Sequence, residues 1–161
     1  MERPVRISVI GGGRATPEEA RVAEAVGRAV AEAGAVLICG GLGGIMTAAA
    51  RGCRAAGGLT VGILPGYDSD EAGPDILIPI VTGLNEARNV IVAASGDAVI
   101  AIGGALGTLT EIGFALKLRR PVIGLGTWTL DKSRLPAGAQ IVAAATPEDA
   151  VAKALAACQA R

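Results

Sequence analysis

Three clusters of glycine constrain the fold of this chain more than any other feature of its sequence. Each cluster directly follows a short apolar run and precedes a segment with helical signals: residues 11–13 follow 5–10, residues 40–44 follow 35–39, and residues 103–107 follow 97–102. Apolar-rich runs of this length are typical of strands buried on both faces of a parallel sheet. The pattern therefore predicts repeated units of strand, glycine turn and helix.

The rest of the chain continues this alternation. Thr16, Pro17 and Glu19 form a capping-box pattern that opens a first helix, Gly34 is placed to end it, and Thr146-Pro147 opens the last helix in the same way. Further strands are predicted at residues 59–64, 76–81, 121–125 and 140–143, further helices at 45–56, 84–94 and 108–118, and a loop at 65–74. We therefore expect an α/β fold over residues 1–161: a single Rossmann-like domain with a doubly wound parallel sheet and helices on both faces.

Composition excludes several classes of function. Lys and Arg together equal Asp and Glu at 15 each, so no basic field favours nucleic acid as a partner. No run approaches the ~20 apolar residues of a membrane-spanning helix. Histidine is absent, which removes the usual general base and most zinc sites, and no metal site is expected. Three scattered cysteines without a secretory leader indicate reduced thiols and a cytoplasmic protein.

The glycine clusters predict an anion-binding pocket. In doubly wound sheets, ligands bind outside the carboxyl ends of the strands, where helix N-termini offer unpaired N–H groups. The alternative is that these glycines only permit tight turns and close packing. The candidate ligand-binding residues in and beside the three clusters are Gly11, Gly12, Gly13, Arg14, Gly40, Gly41, Gly43, Gly44, Met46, Gly103, Gly104, Gly107 and Thr108.

Two common nucleotide-binding motifs do not fit. The dinucleotide fingerprint requires a third glycine where Thr16 stands, and a carboxylate after the second strand, where residues 38–41 provide none. A Walker loop requires a lysine after a glycine turn, and Lys117, Lys132 and Lys153 all lie elsewhere. NAD and ATP are therefore disfavoured as ligands.

The segment Gly-Gly-Ala-Leu-Gly-Thr-Leu-Thr-Glu at residues 103–111 resembles the PGGxGTxxE signature of the LOG ("Lonely guy") phosphoribohydrolases and their wider family. Residues 41–46 and 55–58 look like the second glycine loop of that family and the end of its following helix. Within the family, residues 61–66 and 78–84 look most like the molybdenum-cofactor carrier proteins, which bind a phosphorylated pterin. The resemblance implies a phosphorylated small-molecule ligand, with molybdenum cofactor as a candidate cargo.

Arg88 and Glu111 fall on the positions that LOG enzymes use for glycosidic cleavage, so the resemblance makes them the candidate catalytic pair. A carboxylate can stabilise oxocarbenium character or activate water, and an arginine is a fork-shaped donor for phosphate. Two departures from the pattern put hydrolysis in question: Ile102 stands in place of proline, and Asn89 in place of lysine. An older description of the family as lysine decarboxylases would require a Schiff-base lysine, which the loops do not supply.

Each of these residues also has a structural interpretation. Glu111 could complete a capping box with Thr108, and Arg88 could be an exposed charge on its helix. Arg14 could be a phosphate clamp or a surface residue. Cys39 is expected to be a buried apolar residue, and the acidic run of residues 68–71 a solvated loop.

Three functions remain open: a carrier of a phosphorylated pterin or nucleotide-like ligand, a nucleoside 5′-monophosphate phosphoribohydrolase, and a regulatory subunit with a vestigial pocket. The chain is 51% apolar with a mean hydropathy of +0.50, and the helices predicted at 84–94 and 108–118 are apolar nearly all round. A monomer would leave such surface in water, so we expect a homo-oligomer. The resemblance implies a dimer or a tetramer.

Overall fold

The computed structural model describes residues 3–160. Its centre is one seven-stranded sheet in which every neighbouring pair of strands is parallel. The strands are β1 Arg6–Gly11, β2 Val36–Cys39, β3 Thr60–Leu64, β4 Ile78–Val81, β5 Ala98–Ile102, β6 Val122–Leu125 and β7 Ile141–Ala143, in the spatial order β4-β3-β2-β1-β5-β6-β7. The predicted α/β, doubly wound fold is confirmed.

Five helices cover the two faces of this sheet: α1 Pro17–Glu32, α2 Ile45–Ala55, α3 Arg88–Ser95, α4 Leu106–Lys117 and α5 Pro147–Gln159. Alternate residues of a strand serve opposite layers, as Ile7 and Val9 pack in the cluster with α1, α2 and α5, whereas Ile10 packs in the cluster with α3 and α4. The central strands are buried on both sides, which explains their unbroken apolar sequences.

The chain reverses its direction of travel across the sheet between β1 and β5. From β1 it proceeds outward through β2, β3 and β4 and then returns to β5 on the other side of β1. The loops that leave neighbouring strands at this point diverge to opposite faces and open a crevice at their carboxyl ends. This reversal positions the functional site.

Local signals predicted some helix starts correctly and missed one. At α1, Thr16 accepts from the backbone of Glu19 while the Glu19 carboxylate accepts from the Thr16 amide, so the capping box is confirmed. Helix α4 begins at Leu106, two residues before the predicted start, with Ala105 as its N-cap. Thr108 therefore lies inside the helix, and the capping-box interpretation of Glu111 is wrong.

Other boundaries shift for local reasons. The segment predicted as one helix from residue 84 begins as a 3₁₀ turn, Asn85–Ala87, before α3. Strand β4 starts at Ile78, because the hydroxyl of Thr60 holds the preceding backbone in place. This hydroxyl donates to Asp75 O and accepts from Leu77 N. The loop of residues 65–74 contains a short 3₁₀ turn, Ser69–Glu71.

Helices α1 and α2 make the closest backbone contact between helices. A Cβ atom on Gly27 would lie 1.9 Å from Ala49 O, and one on Gly52 would lie 1.9 Å from Glu24 O. Only glycine at both positions allows the two backbones to approach so closely. Since the loop before each helix lines the site, this contact ties the two loops together.

The edge strand β4 is the least covered part of the sheet. All four of its residues are exposed, so apolar side chains on both of its faces reach solvent. Exposed large apolar residues cluster on and beside it: Tyr67, Leu77, Ile78, Ile80, Val81 and Leu84. Within residues 3–160 no helix is both long and apolar enough to cross a membrane.

Candidate functional site

A cleft of about 340 Å³ opens at the carboxyl ends of β1, β2 and β3, at the reversal point of the sheet. Its walls are the loop after β1, the loop after β2, the start of α3 and the first turn of α4. The lining residues are Val9, Ile10, Gly11, Gly12, Gly13, Gly40, Leu42, Met46, Pro65, Asn85, Glu86, Arg88, Asn89, Ala105, Gly107, Thr108 and Glu111.

The structure brings part of the sequence-predicted set together here. The predicted residues that line the cleft are Gly11, Gly12, Gly13, Gly40, Met46, Arg88, Gly107, Thr108 and Glu111. The predicted residues that do not line it are Arg14, Gly41, Gly43, Gly44, Gly103 and Gly104. Their role in binding a ligand was a prediction and stays one.

Three of the predicted residues that do not line the cleft lie in different environments. Gly41 is buried against Gly62 and Leu64, and Arg14 is exposed. Gly103 faces a separate depression, where Glu19 Oε1 would lie 2.3 Å from a Cβ on it. A carboxylate so close to this backbone disfavours an anion there, so any phosphate must bind further along the loop, toward Gly107.

Arg88 is the most unusual side chain of the cleft. It is only 8% exposed, its Nη1 donates to Asn89 Oδ1, and its buried Nε has no hydrogen-bond partner. Its guanidinium fills the space beside Gly40, where a Cβ would lie 2.8 Å from Nη2. The interpretation of Arg88 as an exposed surface charge is therefore wrong.

No carboxylate pairs directly with Arg88 among the ion pairs of residues 3–160. Burial lowers the pKa of its guanidinium, and the more distant charge of Glu111 opposes that shift. An arginine nevertheless stays protonated in proteins. The cleft therefore holds a buried cation without a direct ion-pair partner, which is uncommon unless a ligand supplies the anion.

Backbone donors of α4 lie in the same cleft. The first hydrogen bond within this helix runs from Leu109 N to Ala105 O, so the amides of Gly107 and Thr108 come before any intrahelical partner. The hydroxyl of Thr108 is also buried and without a partner. Together with the dipole of the helix, these donors form a site that suits a phosphate group.

Glu111 lies one turn further along α4 and is 6% exposed. Burial raises the pKa of its carboxyl to about 7, although the charge of Arg88 acts in the opposite direction. Near neutral pH the group is therefore divided between its protonated and ionised forms. A carboxyl in this state can either give or take a proton.

Two other candidates from the sequence, Cys39 and the acidic run, have structural roles in the fold. Cys39 is fully buried at the end of β2, and burial raises the pKa of its thiol to about 11, as expected for an unreactive cysteine. In the acidic run, Asp68 accepts from the amide of Asp70 and caps a 3₁₀ turn. No group of three or more potential metal ligands occurs in the described part of the chain.

Sequence reasoning missed several cleft residues, of which Asn89 is the most informative. The sequence indicates it as a departure from a lysine and as part of the polar side of its helix, but not as a site residue, whereas the structure places it in the wall as a hydrogen-bond partner of Arg88. Its position next to Arg88 at the start of a helix was the one available signal. Pro65, Asn85 and Glu86 were missed because they come from a segment without glycine clusters.

Comparisons with known proteins agree with this architecture. A family model described as the SLOG cluster4 family matches residues 4–151. An uncharacterised protein from Archaeoglobus fulgidus is 46% identical over 121 residues, which cover 75% of this chain and 80% of that protein.

Solved structures with similar folds include two molybdenum-cofactor proteins. The molybdenum cofactor binding protein from the phototrophic bacterium Rippkaea orientalis is 39% identical with a TM-score of 0.88, covering 97% of this chain and 98% of its own. The molybdenum cofactor carrier protein from Chlamydomonas reinhardtii is 34% identical with a TM-score of 0.87, covering 99% and 100%. Because the family model spans most of its length, this chain belongs to the SLOG cluster4 family.

Proposed function

We propose that this protein is a carrier that binds molybdenum cofactor, or a closely similar phosphorylated pterin, in the cleft between β1 and α4. The observation that carries the proposal is the buried guanidinium of Arg88, which has no direct ion-pair partner and shares the cleft with the first-turn amides of α4. A phosphate there would satisfy both kinds of donor at once.

The pterin part of the proposal is supported by the relatives. Two proteins described as binding or carrying molybdenum cofactor match nearly the whole chain at 39% and 34% identity. The volume of the cleft, about 340 Å³, lies at the lower end of the range typical of small-molecule sites. Its mixture of apolar walls and few polar groups suits a flat heterocycle with one anionic end.

The test is ligand capture under native conditions. The protein is expressed in cells that synthesise molybdenum cofactor, purified gently without oxygen, and examined by native mass spectrometry and by fluorescence of released, oxidised pterin. We expect co-purified pterin with the wild type and a strong loss with Arg88→Met. Arg6→Met, which removes an arginine outside the cleft, should retain the ligand. Absence of pterin from the wild type and the Arg6 variant alike would contradict the proposal.

A phosphoribohydrolase is the second candidate, and one observation favours it. Arg88 and Glu111 line the same cleft, and the raised pKa of Glu111, about 7, is suitable for general acid or base chemistry. If this function is correct, the wild type should release ribose 5-phosphate from nucleoside 5′-monophosphates, and Glu111→Gln should abolish release while retaining binding. Equal rates for the two proteins would remove Glu111 from the mechanism.

We also expect the carrier to be a homo-oligomer. The apolar side chains on and beside β4, together with Leu106 and Leu118 at the two ends of α4, would leave a monomer with extensive apolar surface in contact with water. Sedimentation equilibrium at micromolar concentration distinguishes the states. A mass near the 15.9 kDa of one chain, with ligand affinity intact, would contradict the expectation.

A further inference from the structure

Asn89 makes a contact that its position on α3 does not require. Side chains at adjacent helix positions do not normally face each other, yet Arg88 Nη1 donates to Asn89 Oδ1. Arginine has only donors, so the oxygen of the Asn89 amide must be the atom that faces the guanidinium. The Nδ2 group of Asn89 is therefore directed elsewhere.

That second group lies toward the anion-binding turn of α4. A Cβ atom on Gly107 would lie 3.9 Å from Asn89 Nδ2, and nothing else would lie as close to it. One amide thus contacts the buried guanidinium with its oxygen and lies near Gly107 with its nitrogen. It holds the cation with its oxygen and presents a neutral donor with its nitrogen.

We propose that Asn89 is a positioning residue that makes the cleft selective for the phosphorylated form of its ligand. Its acceptor fixes one nitrogen of Arg88 without cancelling the charge, which leaves that charge for the phosphate. A carboxylate at this position would form an ion pair with Arg88 and neutralise it. This inference rests on the proposed function and adds the source of its selectivity.

The experiment compares affinities for 6-hydroxymethylpterin and its phosphate monoester, measured by calorimetry with the purified protein at one salt concentration. The wild type should prefer the phosphorylated compound. Asn89→Asp keeps the hydrogen bond to Arg88 but should lower this preference at least tenfold, with unchanged or higher thermal stability. A role that is only structural would weaken binding of both compounds equally, so the ratio separates the two.

Gln140→Glu is the matched control. Gln140 is exposed and lies outside the cleft, directly before β7. The same added charge there should change the preference no more than about threefold, because solvent screens it. Asn89→Leu, which removes both the acceptor and the donor, should also lower the preference.

The outcomes are distinguishable. A wild type without preference for the phosphate ester would contradict the proposed function itself. A wild type that prefers the ester, with equal effects of Asn89→Asp and Gln140→Glu, would overturn only the role of Asn89. If Asn89→Asp does not fold, Asn89→Leu decides, and a preference equal to that of the wild type would overturn the inference.

Discussion

The two ends of the sheet differ in whether their charged residues form direct ion pairs. At the amino end, Asp97 accepts from the Arg6 backbone amide at 3.0 Å and from Arg6 Nη2 at 2.8 Å, and this hydrogen bonding holds the pKa of Asp97 below its ordinary value. At the carboxyl end, Arg88 and Glu111 share a cleft without a direct ion pair, and the pKa of Glu111 is raised. The first pair is satisfied by the fold, whereas the second leaves its charges for something else. In this protein, therefore, the ionisable pair that shares a cleft without a direct ion pair marks the candidate site.

Removing Arg88 should have the largest effect on ligand binding. Arg88→Met keeps much of the side-chain volume but removes the only buried cation of the cleft, so affinity for a phosphorylated pterin should fall at least hundredfold, about 2.7 kcal/mol. Stability should stay the same or increase, because a buried, unpaired charge is costly. Titration calorimetry and urea unfolding measure the two effects.

Arg6→Met should have the opposite effects from Arg88→Met on stability and on affinity. Its loss leaves Asp97 without its main partner, so the free energy of unfolding should fall by about 1–2 kcal/mol while affinity is unchanged. If Arg88→Met destabilises the protein and leaves affinity intact, the proposed contrast between the two ends is wrong.

Replacing Glu111 should change the pH dependence of stability. The unfolded chain releases this proton near 4.5 and the native protein near 7, so native Glu111 binds more proton between these values and stability falls as pH rises through them. Glu111→Gln should abolish that fall and, at roughly 1.4 kcal/mol per unit, be about 3–4 kcal/mol more stable than the wild type at pH 8. Urea unfolding at pH 4, 6 and 8 measures the free energy of unfolding of both proteins. If the stability of Glu111→Gln falls with pH in parallel with that of the wild type, the assignment is refuted.

Asp97→Asn should show the opposite pH dependence with a smaller magnitude. Because the native pKa of Asp97 lies below 3.8, its contribution is present above that value and is lost as pH falls. The variant should be about 1–2 kcal/mol less stable at pH 7 and should approach the wild type near pH 2. Arg3→Ala serves as the comparison, since Arg3 is 72% exposed at 3.6 Å from Asp97 and should contribute little. If Asp97→Asn is less stable than the wild type by the same amount at every pH, the effect comes from packing and not from the charge of Asp97.

Filling the cleft by one methyl group should have the smallest effect. Gly107→Ala adds a Cβ that meets nothing nearer than Asn89 Nδ2 at 3.9 Å, so the fold should tolerate it while phosphate loses space. We expect affinity to fall about tenfold, or about 1.4 kcal/mol. Gly113→Ala, on the exposed side of the same helix with open space around it, should gain similar helix stability without loss of affinity. Equal affinities for the two variants would contradict the prediction that the phosphate binds next to Gly107.

The sequence predicted the order of strands and helices because apolar runs and glycine turns are local signals. It missed the start of α4, since Ala105 caps that helix without a side-chain hydrogen bond. It located Arg88 and Glu111 through a resemblance, but their burial depends on space that Gly40 and the sheet provide. The contact between Asn89 and Arg88 depends on side-chain conformation, which no spacing in the sequence encodes. The exclusion of Gly103 from the cleft likewise follows from a distant residue, Glu19.

The glycine contact between α1 and α2 has a kinetic consequence. Gly27 and Gly52 lock the two helices together, and with them the loops after β1 and β2 that line the cleft. We therefore expect no movement of these two loops when a ligand binds, so that binding through them proceeds at a rate set by encounter. A carrier with this cleft would then release its ligand through a change in charge, through the arrival of an acceptor, or through movement of the walls that α3 and α4 provide.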